Sequence, residues 1–419
     1  MEKILVISSY PTKKTTHGSQ TVGVASYTKN TLSAIGKAQK KKISFKVLAE
    51  KLNGESGHTE GIVTVDRIWK RNSLTTFLNL GKAIIKEKEI KTVVIEFELS
   101  MFGTLIHLLP FPLFLLFLKL MSKKIILVCH QVIPNIEELG PHINISETQS
   151  ITTLFMNAAL ILFYRMILLM SEKVIVFEEI LKNRLVKYGN KKKIRVIPHG
   201  VESFSIKASK SEARKKLSLS NSSFVVLSFG FLAWYKGTDW LIQAVKHIKD
   251  NRKLKGKPVQ LVLAGGANPN HLDKDYYNRY IGMIESECKK NDIVLTGFVS
   301  EKDIPLYFKA SDLVVLPYRT LMSSSGPLSI TFSFNKPFLL SPKLKGILST
   351  GDMKNALKAL KLSEEDVVFS DFNQDFKKKL QKIKNSTSLQ TKLTKLSYML
   401  QKERSWELVG RRYYEEISA

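Results

Sequence analysis

"SDLVVLPYRTLMSSSGPLSITFSFNKPFLL" occupies residues 311–340. The apolar run at 313–316 leads into small hydroxyl residues and Gly326, then a segment of helical length, then a second apolar run at 337–340. Short, continuous Val/Ile/Leu runs joined through a turn and a helix mark parallel strands buried on both faces. The turn at Ser325–Gly326 would open the helix, where backbone N–H groups and the helix dipole favour an anion such as phosphate. Between Tyr318 and Pro342 there is no Asp or Glu, so this loop must bind whatever it binds without carboxylates.

The same pattern recurs outward in both directions. Strands are expected at 3–8, 44–49, 92–96, 124–129, 173–177 and 194–197, and a second series at 224–228, 260–264, 293–295, 313–316 and 337–340. Two such series predict an α/β protein of two doubly wound, Rossmann-like parallel-sheet domains facing each other across a cleft. The 419 residues are ample for two cores. The join falls near "IPHGVESFSIKASKSEARKKL", where Pro and Gly precede a polar, lysine-rich stretch. This gives a first domain over 1–200 and a second from 201.

The net charge of +28, from 65 Lys+Arg against 37 Asp+Glu, points to an anionic partner: phospholipid, nucleic acid or a phosphorylated substrate. Solvated lysine faces are the plain alternative. No nucleic-acid module or aromatic–basic motif is present, so no nucleic-acid partner is expected. Two cysteines, Cys129 and Cys288, provide neither a zinc site nor a disulfide framework, which favours a reducing compartment. The start "MEKILVISSY" reads as a strand and not as a secretory segment, so a cytoplasmic setting is expected.

Two apolar segments are long enough to cross a bilayer, 102–121 and 154–170. Pro110 and Pro112 interrupt the first, Asn157 and Arg165 the second, and each feeds directly into a strand. Buried helices are therefore expected, any exposed part being free to lie in a membrane interface.

Ligands of open parallel sheets bind beyond the carboxyl ends of the strands. Those positions hold Ser8–Ser9, Glu96, Glu98 and His130 in the first half. In the second they hold Gly230 through Lys236, Gly265–Gly266, Phe298–Val299, and Tyr318 with the serine loop. One wall suits a hydroxyl-bearing substrate, the other an anionic one. Glu96 and Glu98 are expected to turn to opposite sides, so that one of them faces the cleft; Glu98 is taken as the acceptor-side residue.

In order, "IRVIPHGV", "FGFLAWYKGTDWLIQAV", "LVLAGGA", "VLTGFVSEKDIPLYFKASDLVVLPY", "SGPLSITFSFNKPFLLS" and "RSWELVGRRYYEEI" resemble the retaining GT-B glycosyltransferases of the large family four. The first domain is similar through "SSYPTKKTTHGSQTVGVASYTKNTL" and "KKIILVCHQV". The resemblance implies that Lys236 meets the donor's diphosphate, with Gly230 at the strand end before it. Gly265, Gly266 and the backbone at Phe298–Val299 would wrap the nucleotide base. Amides near Ser325 and Gly326 would meet the distal phosphate, His130 would stand near the transferred sugar, and Gly23 would approach acceptor or phosphate. It further implies that a closing segment, placed at 396–419 and including Trp406, crosses back to the first domain, leaving 201–395 as the donor domain.

Two departures stand out. The position after the strand-end glycine, often arginine in that family, is Phe231, so Arg319 is a candidate for the missing cation. The two glutamates that many members carry fall at Met322 and Ile330. The expected function is hexosyl transfer from a nucleotide-diphosphate sugar to a hydroxyl of a glycan, lipid-linked saccharide or lipid, with no metal or redox cofactor. The alternative is a GT-B-shaped binding or scaffold protein that has lost its chemistry. The lysine clusters "GKAQKKKISFK" and "KYGNKKKIR", if on one face, would make a footprint for peripheral contact with an anionic membrane at its inner face. "DKDYYNR" contains Asp-x-Asp but reads as a solvated loop, His107 as a partnered core histidine, and His199 as a turn residue.

Overall fold

The computed structural model describes residues 2–15, 23–39, 42–138, 150–204, 206–250, 257–267 and 275–418. The first sheet comprises Glu2–Ser8 (β1), Ile43–Glu50 (β2), His58–Glu60 (β3), Val63–Trp69 (β4), Thr92–Phe97 (β5), Lys124–Cys129 (β6), Lys173–Val176 (β7) and Ile194–Val196 (β8). Their order is β3-β4-β2-β1-β5-β6-β7-β8, parallel throughout except for the β3–β4 hairpin. The second sheet, Phe224–Phe229 (β9), Val259–Ala264 (β10), Val294–Leu295 (β11), Leu313–Leu316 (β12) and Phe338–Leu340 (β13), runs in the order β11-β10-β9-β12-β13 and is wholly parallel. All eleven expected strands are present. The missed hairpin lies at the sheet edge, where Val63 and Val65 point inward and Thr64 faces water. An alternating strand escapes a search for continuous apolar runs.

Alternation of side chains gives the first sheet two cores. On one face Ile4, Val6, Val94 and Val128 pack beneath the first helix, Gly23–Ala38, and the last, Trp406–Ser418. On the other, Leu5, Ile7, Ile95 and Leu127 pack beneath the helices Thr76–Ile85, Phe111–Leu120 and Ser150–Met170. Pro110 and Pro112 start the helix Phe111–Leu120 instead of breaking one. The helices Phe111–Leu120 and Ser150–Met170 correct the expectation that both apolar segments form buried helices. Only 17% of the apolar window in the longest is buried; it anchors through Tyr164, Ile167 and Leu168 and leaves its other side exposed.

The crossing from second to first domain begins later than residue 396. The helix Thr387–Glu403 runs through that position with Leu396 and Leu400 still facing the second core. The chain turns at Arg404, a buried side chain that ion-pairs with Glu178 beyond β7 and with Asp352 of the second half. Val201 N–H donates to the Arg404 carbonyl (2.7 Å), so outgoing and returning strands of the chain meet there. The last helix then lies on the first, with Tyr413 and Tyr27 hydroxyls 2.7 Å apart. A side chain at Gly410 would strike the Ala34 backbone at 2.6 Å, so glycine permits that approach.

Candidate active site

The chain order reverses between β9 and β12, and the crevice that opens at such a switch point is where doubly wound sheets bind ligands. Gly230 ends β9 there at φ 112°, a conformation open to glycine and rarely to other residues. A side chain at this position would meet Lys236 Nζ at 2.8 Å and Pro327 at 3.1 Å. Lys236 and the start of the helix Gly326–Ser333 therefore border the same glycine. Lys236 stands in the short turn Trp234–Lys236, closed by Gly237 at φ 66°. Its ammonium has no carboxylate or other hydrogen-bond partner among the described residues, and burial pulls its pKa down to about 8.

Neighbouring loops continue the wall. At Gly265 a Cβ would stand 2.0 Å from the Gly230 carbonyl, and at Gly266 2.7 Å from the Phe298 amide. Their glycines are thus demanded first by packing of one strand-end loop on the next. Phe298 is 72% exposed and stacks on Phe231, with centroids 6.2 Å apart and planes inclined by 30°. The residue standing where the family often has arginine therefore offers an aromatic face. Val299 packs at the margin of the second core.

Ser325 caps the helix Gly326–Ser333. Its Oγ accepts from Leu328 N–H (3.2 Å) and lies 3.1 Å from the Tyr318 hydroxyl. Pro327 has no N–H, and Ser329 N–H is taken by the Ser325 carbonyl. Among the described residues the first-turn donor left for a ligand is the amide of Gly326, where an added Cβ would also meet nothing within 4 Å. Met322 and Ile330 are apolar members of the fold. Met322 packs on Ile133, and its carbonyl accepts from Val132 N–H (3.2 Å), sealing the two halves of the cleft.

Arg319 does not supply the second cation. It forms a two-pronged ion pair with Asp239, donates to the Trp234 carbonyl, and lies 4.8 Å and 4.1 Å from the ring centroids of Trp234 and Trp240. Those contacts hold the turn that carries Lys236 and withdraw the guanidinium from the crevice.

Across the cleft, His130 follows β6 and is buried, with Nε2 2.7 Å from Glu96 Oε2. Nδ1 is left without a protein partner among the described residues. Tyr27 and Phe177 hold the ring edge-on at 5.0 Å and 4.9 Å. Glu96 rather than Glu98 is the carboxylate joined to the histidine. Residues two apart in a strand share a face, so spacing does not separate them; β5 ends at Phe97, and Glu98 leaves the strand to accept from Gln131 and Ser100. The overlooked signal was an acid inside an otherwise apolar strand, TVVIEF. His199 is more than a turn residue: half-buried, it lies 4.9 Å from the Tyr27 ring with Nδ1 2.8 Å from the Gly200 carbonyl, and desolvation lowers its pKa to about 4. His107 is no core residue either, since its ring caps a helix start at Thr104.

Gly23 opens the first helix, and a Cβ there would meet none of the described residues within 4 Å; most of the loop before it, and Asp273 of the Asp-x-Asp stretch, lie outside the described residues. Asp275 begins a helix, and no cluster of three or more potential metal ligands occurs among the described residues. A roomier cavity of about 400 Å³ opens at the opposite, amino end of the second sheet. Two of its three lysines are engaged, Lys210 by Asp312 and Lys336 by the carbonyls of Lys309 and Ser311, and it lies away from the carboxyl ends of the strands, where parallel sheets bind their ligands.

Residues 209–332 match the family described as Glycosyl transferases group 1. No curated protein matches the sequence. Among solved structures, sucrose-phosphate synthase from Thermosynechococcus elongatus is similar with a TM-score of 0.69 at 15% identity, over 99% of this chain and 98% of that one. The Anabaena HepE protein in complex with UDP-glucose aligns over 100% of both chains with a TM-score of 0.66 at 15% identity. A UDP-forming trehalose-phosphate synthase from Burkholderia xenovorans gives 0.68 at 12% identity, over 100% of this chain and 99% of that one. At these identities the likeness is one of fold. The chain therefore has the two-domain GT-B fold and carries a glycosyltransferase group 1 domain, the part that builds the glycine- and lysine-bearing wall of the cleft.

Proposed function

We propose that the chain transfers a hexosyl group from a nucleotide-diphosphate sugar to a hydroxyl acceptor, with retention at the anomeric carbon. One observation carries the reading: a half-buried ammonium, Lys236, without an acidic partner among the described residues, at the switch point of the sheet and beside a helix start. A cation desolvated in this way is stabilised by an incoming anion, and a diphosphate would bridge it and the Gly326 amide. As the bond to the sugar breaks, these groups meet the negative charge that develops on the leaving diphosphate. His130, fixed through Nε2 by Glu96, offers Nδ1 to the transferred sugar or the acceptor. The exposed Phe231–Phe298 pair gives the nucleotide base a flat apolar face. The neighbouring HepE structure contains UDP-glucose, which makes UDP-sugars the first donors to try. The reading calls on no resident metal: Lys236 and the Gly326 amide are the groups that would meet the phosphate charge. It places the protein on the cytoplasmic side, in peripheral contact with an anionic membrane, where its net charge of +28 would favour binding.

The experiment is a thermal-shift panel of UDP- and GDP-sugars, followed by measurement of the nucleoside diphosphate released. Stabilisation by one donor together with release supports transfer. Stabilisation without release by any donor, with or without acceptors, would favour the second reading, a binding protein that has lost its chemistry. That reading is motivated by Phe231, Met322 and Ile330 standing where a cation and two acids are usual.

A further inference from the structure

We infer that the outward side of the three-helix layer Thr76–Ile85, Phe111–Leu120 and Ser150–Met170 is a membrane-docking surface that lies in the interface of an anionic bilayer. The surface is independent of the donor site, and the inference rests on the transferase reading only for what docking would serve.

Each helix connects parallel strands over the same face of the first sheet, so the three run side by side in one direction. Their inner sides are satisfied: the Phe111 ring packs at a tilt against those of Phe77 and Phe163, and the Tyr164 hydroxyl bonds the backbone of Ile133. Their outer sides are not. Of 21 exposed large apolar side chains among the described residues, 15 lie in or beside these helices or the short helix Leu105–Leu108. In the longest helix Ile151, Leu154, Phe155, Leu162 and Leu169 are exposed. At 100° per residue they fall on one stripe, on the side away from Ile167 and Leu168. Leu113, Leu116 and Leu120 repeat this on the middle helix, and Leu78 and Ile85 on the first. An apolar face running across three neighbouring helices is more than a soluble monomer ordinarily leaves to water.

Charge chooses the occupant. The three helices contain no Asp or Glu; their charged side chains are Lys82, Lys119 and Arg165, all exposed. A second copy packed here about a two-fold axis would set cations against cations across an apolar, low-dielectric contact. A bilayer supplies the opposite arrangement, with apolar chains below and anionic headgroups above. Long basic side chains can reach those headgroups while their stems stay in the apolar layer. The longest helix meets the length for crossing a membrane, but Tyr164, Ile167 and Leu168 tie it to the sheet, so it lies along the surface. The expected footprint of two lysine clusters is thereby revised. Lys37 stands on the first helix, over the opposite side of the sheet, Lys46 is ion-paired with Glu87 and Asp66, and Lys193 caps the end of the longest helix through the carbonyls of Leu168 and Ser171. The amino ends of the helices stand at the cleft edge of the sheet, near Glu98 and Gln131. A docked molecule would therefore hold its acceptor wall beside the lipid surface.

Flotation of the full chain with vesicles tests this, using phosphatidylcholine alone and phosphatidylcholine with phosphatidylglycerol. The wild type should float with the anionic vesicles and remain partly bound at high salt, because apolar burial is not screened. The triple variant Leu113→Glu, Phe155→Glu, Leu162→Glu should lose about tenfold or more of its vesicle partitioning. Its donor-induced thermal shift should stay intact, which also reports folding. The milder Leu113→Ser, Leu162→Ser pair should lie between the two. Wild type that stays unbound on both vesicles, or variants that float as well as wild type, would overturn the inference. So would a stable dimer in vesicle-free solution that the triple variant abolishes, since that would make a second copy the occupant. Normal flotation without nucleotide-sugar binding would instead sink the transferase reading alone.

Discussion

Two long helices, one from each half, present opposite faces to their surroundings. Thr387–Glu403 hides Leu389, Leu393, Leu396 and Leu400 and shows Lys392, Lys395 and Lys402. Ser150–Met170 hides Tyr164, Ile167 and Leu168 and shows Ile151, Leu154, Phe155, Leu162 and Leu169. The first follows the last strand, β13, and packs on helices of its own domain, whereas the second connects β6 to β7 over the first sheet. The first is amphipathic toward water; the second is apolar on both sides, with its core face set by packing and its outer face left over. The cleft is divided in a corresponding way. The second domain provides a cation and backbone at glycines, the first a carboxylate-held histidine at the end of a sheet sheathed by apolar helices. The difference suggests that one half is built around an anion and the other around a boundary.

The largest effect should come from the residue that joins the halves. Arg404 is buried between Glu178 and Asp352, and burial pushes the Glu178 carboxyl up while Arg404 pulls it back. Arg404→Met would leave two acids without their cation and should lower stability by about 3–5 kcal/mol in urea titration. Loss of a single cooperative transition would show that the two halves are held in register chiefly by this residue.

Next comes the anion site itself. Lys236→Met keeps much of the side chain's bulk and removes its charge. Turnover should fall about 10²–10³-fold, read as released nucleoside diphosphate, while flotation on anionic vesicles stays as in wild type. A fall in both would break the division between the halves. Phe298→Ala should weaken donor binding by about 1–3 kcal/mol, the range for a base stacked on an aromatic ring, with a smaller change in turnover at saturating donor. Arg319→Gln should leave donor affinity within about twofold and lower the melting temperature, because its ion pair and ring contacts hold a turn and touch no ligand.

The continuous runs LVVL, KIILVC and FVVLSF have few stable alternatives to buried parallel strands, which is why the α/β architecture was legible in the sequence. So was the order of the strand-end loops, since glycines and a lysine punctuate them. Pairing was not legible. The Glu96 carboxylate reaches His130 across two neighbouring strands, and Arg319 is claimed by Asp239 across 80 residues of chain. Nor does hydropathy say which side of an apolar helix is covered. Phe102 is buried and Leu113 exposed, although both belong to one apolar stretch.

The smallest effect is also the most specific, because it follows from one titrating group. Burial holds the Lys236 ammonium at about 8, below the ordinary 10.5. Between these values the unfolded chain binds more protons at this position than the folded chain does. The destabilisation from burying the cation is therefore full below about 8 and is relieved as pH rises toward 10.5. A bound diphosphate acts in the opposite sense: it favours the charged form, raises the pKa, and makes binding take up a proton near and just above pH 8. Calorimetry of nucleotide-sugar binding in two buffers of different ionisation enthalpy should show this uptake at that pH, and much less of it well below, where the ammonium is already formed. Lys236→Met should show none at either. The diphosphate of a nucleotide sugar has no group titrating in this range, so uptake that persisted in Lys236→Met would assign the proton to another residue and leave Lys236 as packing.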